Sequence, residues 1–254
     1  MNDPESQEKL MSFKGAEIPQ FEVAALQEIE ELTKKDFTKV EEIKYYAKMG
    51  FSVENQRVIG IKIKFNGWWL TTLPEAIGKL SSLKELRLGS NKLSTLPESI
   101  SNLTSLKELY LGFNQLTTLP ESISNLPSLQ TLSLSRNQLS TLPESISNLE
   151  SLHTLYLSGN KFTTLPESIT KLTSLKTLDL HNNQLSTLPE SIGQLSSLKK
   201  LYLFKNQLST LPESIGQLSS LKELYLIGNQ LSTLPESIKI LKKRGVTILG
   251  VFLK

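Results

Sequence analysis

Apolar residues recur along this chain in a short rhythm nested inside a long one. In residues 83–105, LKELRLGSNKLSTLPESISNLTS, the apolar positions are Leu83, Leu86, Leu88, Leu93, Leu96, Ile100 and Leu103. Leu86 and Leu88 alternate with Glu85, Arg87 and Gly89, the period of two expected of a short strand that turns its leucines inward. The same 23-residue sentence repeats with its asparagine at Asn91, Asn114, Asn137, Asn160, Asn183, Asn206 and Asn229, seven copies without insertion. Such a period predicts an α/β solenoid with one coil per repeat, not a globular domain. A lone coil buries too little to offset the entropy of ordering its backbone, so the coils must stack. Successive strands then pair in parallel at ~4.8 Å, giving a sheet roughly 35–40 Å long.

The asparagines stand where the chain leaves each strand, and an amide carries both donors and an acceptor for buried backbone groups of the bend. They read as structural. The LPES segments that follow place a proline and a glutamate in the order favoured at the first turn of a short helix. The recurring glutamates, Glu75, Glu98, Glu121, Glu144, Glu167, Glu190, Glu213 and Glu236, form a carboxylate ladder that reads as a solvated row beside helix starts.

Residues 1–56 lack the repeat. Phe21, Ala25, Leu26, Ile29 and Leu32, then Phe37, Val40, Ile43 and Ala47 before Gly50, recur at helical spacing. They predict two amphipathic helices, with a possible short one in 4–13, that cap the first coil. Residues 57–82 form a worn copy in which Ile61, Ile63 and Phe65 alternate as a strand and Trp68 fills the asparagine position. Trp68 and Trp69 are either buried cap residues or exposed anchors. The array spans 57–245, and 246–254, with Val246, Ile248, Leu249, Val251 and Phe252, form a closing strand that either caps the last coil or pairs with a second copy.

The repeats differ mainly where strand residues face water. One column reads Arg87, Tyr110, Ser133, Tyr156, Asp179, Tyr202 and Tyr225. Two residues further on come Gly89, Gly112, Ser135, Ser158, His181, Phe204 and Ile227, then Ser90, Phe113, Arg136, Gly159, Asn182, Lys205 and Gly228. Tyrosine, arginine and phenylalanine on a rigid sheet are the composition of interface hot spots. The candidate partner-binding residues are therefore Arg87, Tyr110, Phe113, Arg136, Tyr156, Asp179, His181, Tyr202, Phe204, Lys205, Tyr225 and Ile227.

Charge changes this picture little. The formal net charge is +3. Residues 1–56 carry 7 basic against 12 acidic side chains and 57–254 carry 21 against 13, an acidic start and a mildly basic array. Lys84, Lys107, Lys176, Lys199 and Lys222 share one column, but Glu85, Glu108 and Glu223 interrupt its neighbour, so nucleic acid is not the expected partner. The absence of cysteine removes disulfides and thiol chemistry. The polar opening, MNDPESQEKLMSFKGAEIPQ, carries no signal pattern, which fits either a cytoplasmic protein or one whose signal has been removed. The apolar run at 246–253 is too short to span a bilayer.

With L-P-x-x-I-x-x-L following each asparagine turn, and LPESI or a close variant occurring eight times, the chain resembles the leucine-rich repeat family in its 23-residue subtype. It is most similar to bacterial proteins of the kind expanded in pathogenic spirochaetes. The resemblance implies a curved solenoid with a concave parallel sheet and a role in protein–protein interaction, often with host or surface ligands. No separate cysteine-bearing ligase domain and no cysteine-rich caps accompany it.

Catalysis finds little support. The two histidines, His153 and His181, fall on different coils, and Asp179 with His181 would need a third ligand to hold zinc. The reading is a non-catalytic, monomeric protein-binding module without cofactor or metal that uses its concave face. The alternatives are a carbohydrate or surface-polymer binder that stacks sugars on the tyrosine column, and a protein that self-associates through the solenoid ends.

Overall fold

The computed structural model describes residues 9–43, 49–64 and 69–250. The chain opens with a hairpin, β1 (Leu10–Phe13) and β2 (Ala16–Pro19), closed by Lys14 and Gly15 at φ 49° and 80°. Two consecutive positive φ values are what a two-residue hairpin turn requires, and glycine supplies the second without strain. Helix α1 (Gln20–Thr33) follows, burying Val23, Ala25, Leu26 and Ile29 and ending at left-handed Lys34. It packs against the first outer turn of the array, Glu75–Lys79.

The first of the two expected helices forms, and the described part of the second, residues 37–43, is not helical. Residues 38–39 are instead a short strand, β3 (Thr38–Lys39), parallel to β4 (Met49–Glu54), and Phe37 and Ile43 enter the core from extended chain. Ala47 lies outside the described residues. Gly50, expected as a helix stop, is a strand residue; a Cβ there would sit 3.2 Å from the Thr38 carbonyl, so its smallness lets β3 approach. Likewise Leu10–Phe13, inside the segment expected as a short helix, is a strand. Pairing and burial overrode helical spacing because both segments found an extended neighbour.

β4 turns through Asn55 and Gln56, both at positive φ, into β5 (Arg57–Ile63), which is antiparallel to β4 and parallel to the first repeat strand. The fully buried Glu22 carboxylate accepts from Arg57 Nε at 2.7 Å and Val58 N–H at 2.8 Å, which fastens α1 to β5.

Seven strands of three residues then succeed one another: β6 (Glu85–Arg87), β7 (Glu108–Tyr110), β8 (Thr131–Ser133), β9 (Thr154–Tyr156), β10 (Thr177–Asp179), β11 (Lys200–Tyr202) and β12 (Glu223–Tyr225). β13 (Thr247–Leu249) adds parallel to β12 after helix-like turns that include Glu167–Thr170 and Ile238–Lys243. One sheet of eleven strands runs from β13 to β3 in sequence order. Each inward leucine faces the leucine of the next coil, as Leu109 faces Leu132. The buried side chains form one continuous core from Phe13 to Val246.

The register at the array's start differs from a uniform repeat. Lys62 stands opposite Arg87, 25 residues away, whereas Arg87 stands opposite Tyr110, 23 residues away. Leu70 nevertheless matches Leu93, since their N–H groups bond to Asn91 and Asn114. The two extra residues therefore fall between Ile63 and Leu70. Trp68, expected at the asparagine position, lies outside the described residues, as does Phe65.

All seven asparagines are structural. Asn137 Oδ1 accepts the Leu116 N–H of the preceding coil at 3.0 Å, and its Nδ2 donates to the carbonyls of Leu111 at 3.0 Å and Leu134 at 2.9 Å. The other six repeat this three-bond pattern. The outer glutamates also bridge coils: Glu75 accepts Ser99 N–H at 3.2 Å, and Glu213 accepts Glu236 N–H at 3.0 Å and Ser237 N–H at 3.1 Å. The row read as merely solvated thus caps the next coil's helical turn.

Two outcomes follow. Asn137→Ala orphans a buried N–H and two carbonyls and should lower unfolding free energy by roughly 2–4 kcal/mol; Asn137→Asp, which turns lone pairs toward those carbonyls, should cost more, both read by urea titration. The Glu213 carboxyl is held below its ordinary value by the Ser237 and Glu236 N–H groups. A depressed carboxylate stabilises above its unfolded pKa and loses that contribution as pH falls through the folded value. Wild type should therefore exceed Glu213→Gln in urea midpoint at pH 7, and the gap should close in acid below the ordinary value of 4.5.

Candidate partner-binding face

The residues between the inward leucines lie on the opposite, concave side of the sheet and are half-buried against one another. Parallel register sets them in straight columns, so Arg87, Tyr110, Ser133, Tyr156, Asp179, Tyr202 and Tyr225 succeed one another across seven coils. Backbone pairing continues past the three-residue strands, as Ser90 N–H bonds the Gly112 carbonyl at 2.8 Å. The column of Gly89 and Phe204 therefore belongs to the same surface.

The third column has a different origin. Ser90, Phe113, Arg136, Gly159, Asn182, Lys205 and Gly228 all have positive φ, from 55° to 75°. They are the left-handed corner of the exit turn, not strand residues. Glycine suits that corner, and a bulky residue there costs roughly 1–2 kcal/mol. Phe113 is nonetheless placed there and is 55% exposed. Arg136 stacks its guanidinium over the Phe113 ring at 4.9 Å, and Lys205 is exposed at the same corner of its coil.

Neighbouring coils pair their displayed side chains. The Arg87 guanidinium lies 4.1 Å from the Tyr110 ring centroid and also pairs with Glu85. Tyr110 donates its hydroxyl to Glu108 at 2.7 Å; burial first, and this bond second, push its pKa up to about 12. Asp179 accepts from His181 Nδ1 at 2.7 Å, and that imidazole stacks on Phe204 at 4.2 Å and 8°. Tyr202 stacks on Tyr225 at 4.7 Å. Lys200, beside them, donates to Glu223 at 2.9 Å, which raises the lysine's pKa and lowers the glutamate's. Ile227 is 53% exposed at the downstream end of the face.

A depression of about 170 Å³ at the upstream end is lined by Lys62, Lys64, Arg87, Gly89, Tyr110, Gly112 and Phe113 among others. A second, of about 420 Å³, is lined by Tyr156, Thr177, Asp179, His181, Lys200, Tyr202 and Phe204. Ten of the twelve residues singled out from sequence thus fall into two groups, and Lys205 and Ile227 line neither depression. Arg87, Tyr110 and Phe113, with Arg136 stacked beside, gather upstream. Tyr156, Asp179, His181, Tyr202 and Phe204 gather downstream, with Tyr225 stacked on Tyr202.

Sequence reasoning missed Lys62, Lys64 and Lys200. The two extra residues after Ile63 hid the first pair, because a uniform period sets Lys64, not Lys62, opposite Arg87. Lys200 was legible as a strand residue two before Tyr202. Trp69 is 47% exposed, with the Lys92 amine 5.3 Å from its ring; Trp68 lies outside the described residues. Among the described residues, no third His, Cys, Asp or Glu joins Asp179 and His181 to hold a metal ion. No helix among them is long and apolar enough to cross a membrane.

Family models described as leucine-rich repeat region and leucine rich repeat match residues 151–244, and 62–116 with 105–162, respectively. Among solved structures, the chain is similar to a leucine-rich repeat protein of Leptospira interrogans (TM-score 0.72, 43% identity), over 75% of this chain and 48% of that one. It is similar to the leucine-rich repeat ectodomain of the plant membrane receptor kinase GASSHO1/SCHENGEN3 from Arabidopsis thaliana, solved in complex with CASPARIAN STRIP INTEGRITY FACTOR 2. That match has a TM-score of 0.66 and 26% identity over 87% of this chain and 31% of the receptor. A TDR receptor matches with a TM-score of 0.62 and 31% identity, over 76% of this chain and 38% of that one. The chain spans less than half the length of each. No curated protein sequence matches it.

Proposed function

The chain belongs to the leucine-rich repeat family, and we propose that it is a non-catalytic module that binds a protein partner across its concave face. One observation carries this reading. Large side chains with no part in the frame, among them the 55%-exposed Phe113 and 53%-exposed Ile227, stand on one side of a rigid sheet whose other positions repeat almost unchanged. Aromatic and arginine side chains with few rotors lose little entropy on capture, the property of hot-spot residues. A receptor ectodomain of the same fold solved with its ligand lends support. A host or surface ligand is the partner class that the resemblance to bacterial leucine-rich repeat proteins implies.

The downstream depression favours a second reading. Tyr156 and Tyr202 beside Asp179 and Lys200 combine ring faces with polar groups, the chemistry that binds a sugar.

Affinity capture from host and bacterial extracts separates these readings from a purely structural role. The triple variant Tyr156→Ala, Tyr202→Ala, Phe204→Ala should lose a captured protein by roughly tenfold or more, with a melting temperature close to wild type. A convex control, Asn102→Ala, Asn125→Ala, Asn148→Ala, at exposed outer-turn positions, should keep it. Equal capture by all three proteins would reject the concave-face reading, and competition by a glycan array would promote the carbohydrate one.

A further inference from the structure

The upstream depression is chemically unlike the rest of the face. The β5 register sets Lys62 beside Arg87, and Lys64 enters the column of Gly89 two residues on, so three cationic side chains converge on one side of the slot. Two carboxylates of the neighbouring strands stand beside these three cations: Glu85 pairs with the Arg87 guanidinium, and Glu108 accepts from the Tyr110 hydroxyl at 2.7 Å and lies 3.9 Å from Arg87. Lys62 is only 4% exposed, and its pKa is lowered, first by burial and then by the Arg87 and Lys64 charges. The Glu85 carboxylate acts in the opposite sense and partly offsets those charges.

Beyond the cations the slot is lined by two glycines, the Tyr110 and Phe113 rings and three serines, Ser90, Ser133 and Ser135. In the column that elsewhere carries Ser135, Ser158, His181, Phe204 and Ile227, the first two coils have Gly89 and Gly112. A Cβ at Gly89 would lie 3.2 Å from the Gly112 carbonyl, and one at Gly112 would lie 3.3 Å from the Ser135 carbonyl, so without side chains these two positions leave the floor open where later coils fill it with Ser135, Ser158, His181 and Phe204. Phe113 borders the slot from its left-handed corner. The volume, about 170 Å³, is that of one ring: an apolar cavity of about 150 Å³ holds benzene.

We propose that this depression receives an acidic side chain and an adjacent aromatic side chain of the protein partner, the carboxylate against Lys62, Lys64 and Arg87 and the ring on the Gly89–Gly112 floor beside Phe113. It rests on the reading of the concave face as a protein-binding surface and names the partner chemistry at one end of it. A simple anion would leave the glycine floor unused. A nucleic-acid strand needs cations repeated along its path, and the next coils offer Ser133, Tyr156 and Asp179 in the Arg87 column instead.

The test is an amide-shift titration of the ¹⁵N-labelled full chain, followed at Gly89 and Gly112, with N-acetyl-glutamyl-phenylalanine amide as probe. Both resonances should shift and saturate. Replacing the probe's glutamate by glutamine or its phenylalanine by alanine should weaken binding roughly tenfold. Lys64→Gln and Phe113→Ala, with unchanged spectra elsewhere, should each weaken the parent probe by a similar factor. The proposal is overturned if the glutamine probe binds equally well, if the two glycines do not respond, or if adenosine monophosphate binds more tightly than the dipeptide, which would assign the slot to a nucleotide. The capture experiment above uses downstream residues. A failed titration with capture still dependent on Tyr156 removes this slot alone, whereas capture indifferent to the concave face removes the protein-binding reading.

Discussion

The structure depends on one recurring exchange of hydrogen bonds. Each asparagine at a strand exit accepts a backbone N–H from the coil before it and donates to carbonyls of both coils. A coil in isolation would leave these groups buried and unpaired, which costs more than the bonds themselves are worth. Stability is therefore a property of neighbouring pairs, and the chain behaves as a one-dimensional stack. The leucine core supplies the bulk of the free energy, but it is non-directional. The amides fix the spacing and register that let every leucine meet its counterpart.

This division of labour frees the concave face. Because the amide ladder and the inward leucines satisfy the frame, residues in the two outward strand columns are free to vary, and parallel register delivers them as straight rows. Several outer glutamates do the corresponding work on the other side, the carboxylates of Glu75, Glu190 and Glu213 accepting backbone N–H groups at the helical turn of the next coil. Both ladders act between adjacent coils, so the face is held as a rigid array, and rigidity limits the entropy lost when a partner docks.

The face has two chemically distinct ends. Upstream, cations and a glycine floor border Phe113; downstream, stacked rings mix with Asp179 and Lys200. On the proposed reading, a partner that spans both meets an acid-seeking slot and an aromatic platform several coils apart, and specificity comes from the spacing of two unlike contacts on one ligand.

The period of 23 residues, the inward leucines, the asparagine's structural role and the tyrosine column were all legible in the sequence, because they follow from local alternation repeated identically and need no long-range contact to be inferred. Three things were not. Residues 37–43 carry a helical spacing yet are not helical, since β4 offered Thr38 and Lys39 a pairing edge that no local pattern announces. The third column reads as strand, but its left-handed backbone is set by closure of the turn over the asparagine. Lys62 faces Arg87 only because two extra residues in the first coil shift the register, and hydrogen bonding between coils, not spacing along the chain, decides which residues stand side by side.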